Sequence, residues 1–282
     1  VAETSTREPA EYSPSARDHP AAERRSSPTL RALSYWMTNY RRTWRGTAIT
    51  GLLEPVAFLA AMGLGLGAIV DANSGGDGLG GLSYLAFLAP GLLAANAMQT
   101  AMFESTYPVM GSIKWDRTYF AQLATSLRVT DVLRGHLAFV SFRIVTMATV
   151  FLVVMVGFGV VSSPWALLTL PVALLLGLAV ATPVMAFAAR QENDSGFAML
   201  FRFGMVPMFL FSGTFFPITQ LPDVIQPLAW FSPLWHGVDL SRGIVLGGLE
   251  AGLAVVHVGY LALWVVVGYV VAARSFTSRL VK

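Results

Sequence analysis

Residues 211–243 read "FSGTFFPITQLPDVIQPLAWFSPLWHGVDLSRG". The stretch is mostly apolar, yet it holds Pro217, Pro222, Pro227 and Pro233 together with Asp223, His236, Asp239 and Arg242. One membrane-crossing helix does not choose this composition, because each interior proline deletes a backbone hydrogen bond and costs about 3 kcal/mol. Non-helical backbone at membrane depth persists only where it packs in protein or lines water. The aromatic residues Phe215, Phe216, Trp230, Phe231 and Trp235 suit the membrane–water interface. Residues 217–247 are therefore expected to form a helical hairpin that dips into the outer leaflet and returns. The alternative is an ordinary exposed loop.

The rest of the chain supplies the membrane. Of its 282 residues 55% are hydrophobic and 12% charged, against about 25% charged in a soluble domain; the mean hydropathy is +0.60. A span needs about 20 mostly apolar residues. Six segments qualify: 48–70, 85–110, 137–161, 165–189, 196–216 and 251–273. The expected fold is all-α, a polytopic membrane protein with six transmembrane helices. Lys and Arg next to the spans orient it. Arg31, Arg41, Arg42 and Arg45 precede span one, Lys114, Arg117, Arg128 and Arg134 lie between spans two and three, and Arg274 and Arg279 follow span six. The 1–2 loop and the 3–4 turn carry neither Lys nor Arg. Both termini are therefore expected in the cytoplasm, and the chain in the plasma (inner) membrane.

Two further pieces flank the spans. Residues 1–28, rich in Pro, Ser and charge, bury too little surface to fold alone and are expected as a disordered cytoplasmic tail. The apolar region, residues 29–282, is expected as one membrane domain. Residues 29–45 place Leu30, Leu33, Trp36, Met37 and Tyr40 near helical spacing, which suggests an amphipathic interface helix. Residues 112–136 are long for a simple connection. They contain Tyr119, Leu123 and Leu127 on a short amphipathic helix, and Asp131 as a cap for the next one. That polar elbow is either a docking surface for a cytoplasmic partner or a solvated loop.

Several chemistries are excluded. There are no cysteines, so thiolate metal sites and cysteine nucleophiles are out. The two lysines, Lys114 and Lys282, stand in no Gly-rich loop, so this chain has no P-loop. His19, His136, His236 and His257 show no ligand spacing. Four intramembrane charges remain: Glu54, Glu104, Arg143 and Arg202. Each lies about six residues from the same face, or roughly 9 Å at ~1.5 Å per residue. An unpaired charge costs ~2.5–3.5 kcal/mol at mid-helix. Two acids and two arginines at one level are expected to form an inner polar ring; the alternative is independent snorkelling to the headgroups.

The order of these pieces resembles the permease subunit of type-2 ABC exporters. The resemblance rests on Ser212 and Gly213, on "FFP" at 215–217, on Leu221 and Pro222, and on "PLWH" at 233–236 followed by Asp239 and Arg242. "LEP" at 53–55 and "GLGLG" at 63–67 look like the nodulation-factor and daunorubicin branch. The resemblance covers residues 29–282. It implies that two permease chains pair, and that each docks a separate ABC ATPase subunit through the elbow. No cofactor, metal or catalytic residue is then expected on this chain, since ATP and Mg belong to the ATPase; no nucleic-acid partner is expected. The implied substrates are amphipathic, from lipo-oligosaccharides and lipid-linked glycans to hydrophobic drugs. Span five carries Phe197, Phe201, Phe203, Phe209, Phe211, Phe215 and Phe216 while span one has only Phe58, which favours an apolar or lipid-bearing substrate. An ion-coupled secondary transporter is the alternative, and a membrane enzyme acting on lipid-linked sugar stands third.

Overall fold

The structure, a computed structural model, describes residues 27–73, 82–161 and 163–281. The expected tail therefore lies almost wholly outside the described residues, as does most of the 1–2 loop. Among the described residues every regular element is helical. In chain order these are α1 (Pro28–Ala60), α2 (Ala68–Asn73), α3 (Tyr84–Ser105), α4 (Tyr107–Lys114), α5 (Thr118–Leu123) and α6 (Val129–Gly157). They are followed by α7 (Thr169–Arg190), α8 (Ser195–Met199), α9 (Val206–Phe211), α10 (Gln226–Trp230), α11 (Pro233–Leu246) and α12 (Ala251–Leu280).

The first helix differs from the sequence expectation. Residues 29–45 are not a separate interface helix; they are the first half of α1, which runs 33 residues without a break. Ser27 starts it, its Oγ accepting from the Leu30 N–H at 3.3 Å, with Pro28 in the first turn. Nothing near residue 46 stops it, since a lone glycine costs only about 1 kcal/mol in a helix. Ala32 and Trp36 are buried against α6. The approach is close: a Cβ on Gly135 of α6 would stand 2.4 Å from the Ala32 Cβ, so only glycine fits there. Trp36 stacks on His136, ring centroids 4.0 Å apart. Beyond Ala60 the glycine-rich "GLGLG" run becomes a π-helical stretch, Ala61–Gly67, before α2.

Among the described residues, five helices are long and apolar enough to cross a membrane: Pro28–Asn73, Tyr84–Lys114, Val129–Gly157, Pro164–Arg190 and Ala251–Leu280. The segment read as span five, Ser195–Phe211, is shorter. Its 17 residues rise about 25 Å, short of a ~30 Å hydrocarbon core. It is also interrupted by a π-helical turn at Leu200–Met205. Pro108 explains a break within the second crossing element, where α3 ends at Ser105 and α4 begins at Tyr107.

Buried residues from α1 through α12 form one contiguous apolar core. Helix α7 lies at its centre and touches α3, α6, α11 and α12. The proline-broken stretch folds back onto this bundle. A 3₁₀ turn at Ile218–Gln220 and the short α10 lead into α11, whose Leu234, Val238, Leu240 and Val245 are buried against α3, α7 and α12. Helix α11 is thus packed in protein, while Val224, Leu228, Trp230 and Phe231 of the segment before it stay exposed.

Candidate functional site

The elbow is built around an inward-facing tyrosine. Tyr119 on α5 is fully buried; its hydroxyl hydrogen-bonds His136 Nδ1 of α6 and its ring meets Phe276 of α12. Burial pushes its phenol pKa up, so it stays neutral. The reading of Tyr119 as a contact for a partner is corrected by this burial: it fastens the elbow to the bundle. Leu123 and Leu127 are half-buried against the core. Asp131 caps α6, its Oδ2 accepting from the Arg128 N–H at 3.0 Å. The face left free belongs to Trp115 and Phe120, 64% and 39% exposed. Clefts of about 750 and 380 Å³ flank α5, one between Trp115 and Arg279, the other between Arg31 and Leu127. Arg117, at the turn into α5, holds a positive φ of 51°, a strained backbone for a non-glycine residue.

Three elements are tied at the neighbouring α7–α8 connection. Lys114 Nζ donates to the Glu192 carbonyl and lies 3.5 Å from its carboxylate, while Arg279 Nη1 of α12 is 2.7 Å from the same side chain. The Arg279 guanidinium holds the Glu192 carboxyl below its ordinary value.

The four intramembrane charges do not close into a ring within one chain. Arg143 Nε donates to Glu104 Oε1 at 2.8 Å, joining α6 to α3, and its guanidinium lies 5.1 Å from the Tyr40 ring centroid of α1. Glu54 and Arg202 are exposed on the outer faces of α1 and of the Leu200–Met205 turn, and neither has an ion-pair partner among the described residues. The reason is rotational: residues at one depth meet only if their helices turn them toward each other, and depth alone was legible. Glu54 instead lines a small recess beside Asn96 and Gln99.

The signature around Ser212 is structural. Gly213 takes a φ of 77°, which only glycine adopts without strain. This turns its carbonyl toward Arg242 Nη2, 2.8 Å away, while Arg242 Nε donates to the Phe87 carbonyl at 3.2 Å. The guanidinium also covers the Phe87 ring at 3.8 Å. Ser212 and Thr214, both buried, hydrogen-bond each other at 2.8 Å. Arg242 thus pins α11 to the start of α3 and to the end of α9; it does not face water as a free charge. Pro217 and Pro222 bound the 3₁₀ turn, and Pro233 opens α11.

His236 and Asp239 share a cluster with a residue that sequence reasoning passed over. His236 Nδ1 lies 2.6 Å from His257 Nδ1 of α12, and His257 Nε2 lies 3.1 Å from Asp239 Oδ2. The signal for His257 was present: an ionisable residue inside an apolar span marks a site by itself. Its partner stands 21 residues away on another helix, so no spacing announced the pair.

Most phenylalanines of the fifth segment pack inward. Phe197 is fully buried, Phe209 meets Phe215, and Phe215 meets Phe58. Phe203 and Phe211 instead line an apolar crevice of about 430 Å³ with Phe187, Pro207, Phe231 and Trp264.

Residues 31–246 match the protein family described as ABC-2 type transporter. Nodulation protein J of Rhizobium leguminosarum bv. trifolii is 33% identical over 258 residues, covering 90% of this chain and 95% of that protein. Nodulation protein J of Sinorhizobium fredii is 32% identical over 252 residues, 88% and 93% of the two chains. That of Bradyrhizobium diazoefficiens is 32% identical over 253 residues, again 88% and 93%.

Proposed function

The chain belongs to the ABC-2 type transporter family, and from that premise we propose how this permease subunit of an ABC exporter is assembled and what it carries. The observation that carries the reading is the match over residues 31–246, joined to a bundle of long apolar helices. Six crossings are proposed, with Ser195–Phe211 and the residues after it making the fifth. The Lys and Arg distribution supports cytoplasmic termini in a plasma membrane. The hairpin from α10 to α11 is then the element that enters the outer leaflet.

A separate ATPase supplies the energy. Its groove receives the exposed face of α5, Phe120 and Trp115, between the two clefts. Because Tyr119 locks α5 to α6 and α12, a push on the elbow moves those helices rather than bending a loop. A second copy of the chain is the proposed permease partner. Glu54 and Arg202 support this: a bare charge at that depth costs on the order of 2.5–3.5 kcal/mol. In a two-fold interface a Glu54–Arg202 contact between copies would occur twice.

The proposed cargo is an amphipathic molecule of the lipo-oligosaccharide or lipid-linked class. The relatives' name, nodulation protein, and the apolar crevice beside Phe203 and Trp264 support that class. Glu104, bound to Arg143, is no free proton carrier, which weighs against the ion-coupled alternative. The test is reconstitution of the chain with its ATPase in liposomes. ATP-dependent movement of a fluorescent lipo-oligosaccharide is expected. Transport that needs no ATPase and collapses with an ionophore would overturn the reading.

A further inference from the structure

The recess beside Glu54 is polar at a depth where lipid offers no hydrogen-bond partners. It holds about 40 Å³ and lies between α1, α3, α6 and α9. Glu54 and Phe58 stand one turn apart on α1, and Asn96 and Gln99 one turn apart on α3, so each pair shares a helix face. Asn96 and Gln99 precede Glu104 by eight and five residues, which places them roughly 12 and 8 Å further along α3. Both are half-buried, and neither carboxamide has a hydrogen-bond partner among the described residues. A hydrocarbon neighbour pairs none of their atoms, and leaving them unpaired is costly. Polar side chains kept at such a place mark a site rather than packing.

The lining selects its ligand. Each carboxamide brings two N–H donors and an acceptor oxygen, and the Glu54 carboxyl adds acceptors in either protonation state. The lining carries no Lys, Arg or His, so an anionic headgroup finds no counter-charge there. A bare cation could use the oxygens but would leave the N–H groups unpaired. A hydroxyl donates and accepts at once, so a group with several neighbouring hydroxyls serves both kinds of atom. The recess has room for about two or three water-sized groups. Phe58 and Phe209 wall it with phenyl rings, and both pack on Phe215, with ring centroids 6.5 and 5.0 Å from its own. A sugar ring has the matching two characters, hydroxyls at its edge and C–H groups on its faces.

Resting on the exporter reading above, we propose that Asn96, Gln99 and Glu54 form a saccharide subsite. They hydrogen-bond hydroxyls of the cargo's sugar head while a sugar face lies along Phe58 and Phe209. Between cargo molecules water serves the same atoms. A carboxylate accepts at about four lone-pair sites, so the contact proposed for Glu54 with a second copy leaves oxygens free for a hydroxyl.

The test uses the chain with its ATPase in nanodiscs and a fluorescent acyl tetrasaccharide, with the same acyl chain on phosphocholine as a control probe. Asn96→Leu and Gln99→Met keep the size of each side chain and remove its hydrogen-bonding atoms. Neither breaks a bond within the chain, so both are expected to fold. Each is expected to weaken binding of the acyl tetrasaccharide about tenfold, with the control probe unchanged. Free tetrasaccharide is expected to compete with the probe on the parent and not on the double variant. Equal saccharide affinity in the parent and the double variant would overturn the subsite and leave the exporter reading in place, as would a parent that does not bind the acyl tetrasaccharide at all. Saccharide binding that depends on these residues, without ATP-driven movement in liposomes, would support the subsite and overturn the exporter reading instead. Loss of dimers in the variants would give the recess to the second copy and overturn the subsite. If Asn96→Leu does not fold, Gln99→Met decides alone.

Discussion

Replacing Glu104 by alanine isolates the energetics of its ion pair with Arg143. Arg143 is 7% exposed, its Nε bonds Glu104, and its Nη1 is buried without a hydrogen-bond partner among the described residues. Two charges whose centres lie about 4 Å apart attract by about 4 kcal/mol at an effective dielectric constant near 20. Much of that is spent on desolvation, so the intact pair adds little net stability. Removing only the acid is different, because it strands a cation in an apolar bundle at a cost of about 3–5 kcal/mol. For a chain of this size the expected fall in Tm is on the order of 10 °C. The double variant Glu104→Ala with Arg143→Met is expected to return to within about 1–2 kcal/mol of the parent, since Met fills the space and carries no charge. Thermal unfolding of all four proteins in nanodiscs gives the coupling energy. Additive effects, with coupling below about 0.5 kcal/mol, would refute the argument and leave Arg143 served by Tyr40 and the headgroups alone.

Three more expectations concern the surfaces. Phe120→Asp should release the ATPase and abolish ATP-driven transport, while Tyr119→Phe should leave docking intact and cost about 1–3 kcal/mol of stability through His136; equal effects on docking would misplace the docking face. Cysteines at 54 and 202 of the otherwise cysteine-free chain should cross-link between copies under mild oxidation, and monomers only would exclude the proposed two-fold contact. Glu192 has a folded pKa below its unfolded value of 4.5, so its tether to Arg279 and Lys114 is present above that pH and is lost as pH falls through the lower value; protease nicking between α7 and α8 should rise there and also in high salt, and a rate indifferent to both would remove the tether.

Periodicity and charge carried the architecture a long way. The apolar runs near 85–110, 137–161, 165–189 and 251–273 became α3 with α4, α6, α7 and α12, because a membrane span must satisfy its own backbone and so declares its length. The union of residues 29–45 with span one was not legible, since it depends on Ala32 meeting Gly135 more than a hundred positions away. Depth along a helix was readable for Glu104 and Arg143, and also for Glu54 and Arg202; rotation was not, and rotation decides which pair meets. Tyr119 looked like an exposed amphipathic contact because its hydroxyl suits a surface. Its partner His136 comes from another helix, which turned it inward. The prolines and Gly213 flagged the fold-back, but Arg242 as its fastener needed the carbonyls of Phe87 and Gly213 in place.

The unbroken run of α1 has a mechanical meaning. A 33-residue helix is about 50 Å long at 1.5 Å per residue, and it is stiff. It is seated near its start, where Ala32 rests on Gly135 and Arg31 Nη1 donates to Ser126 Oγ, at 3.2 Å, just past α5. Further along it lies against α6, where Gly51 meets Met147, and Leu59 is buried, so the helix is a rod that joins the elbow to the level of Glu54. A tilt of about 5° of the whole rod would displace its far end by roughly 4 Å, given that length. A small stroke at the elbow is carried along the rod, whereas a hinge at residue 46 would have absorbed it.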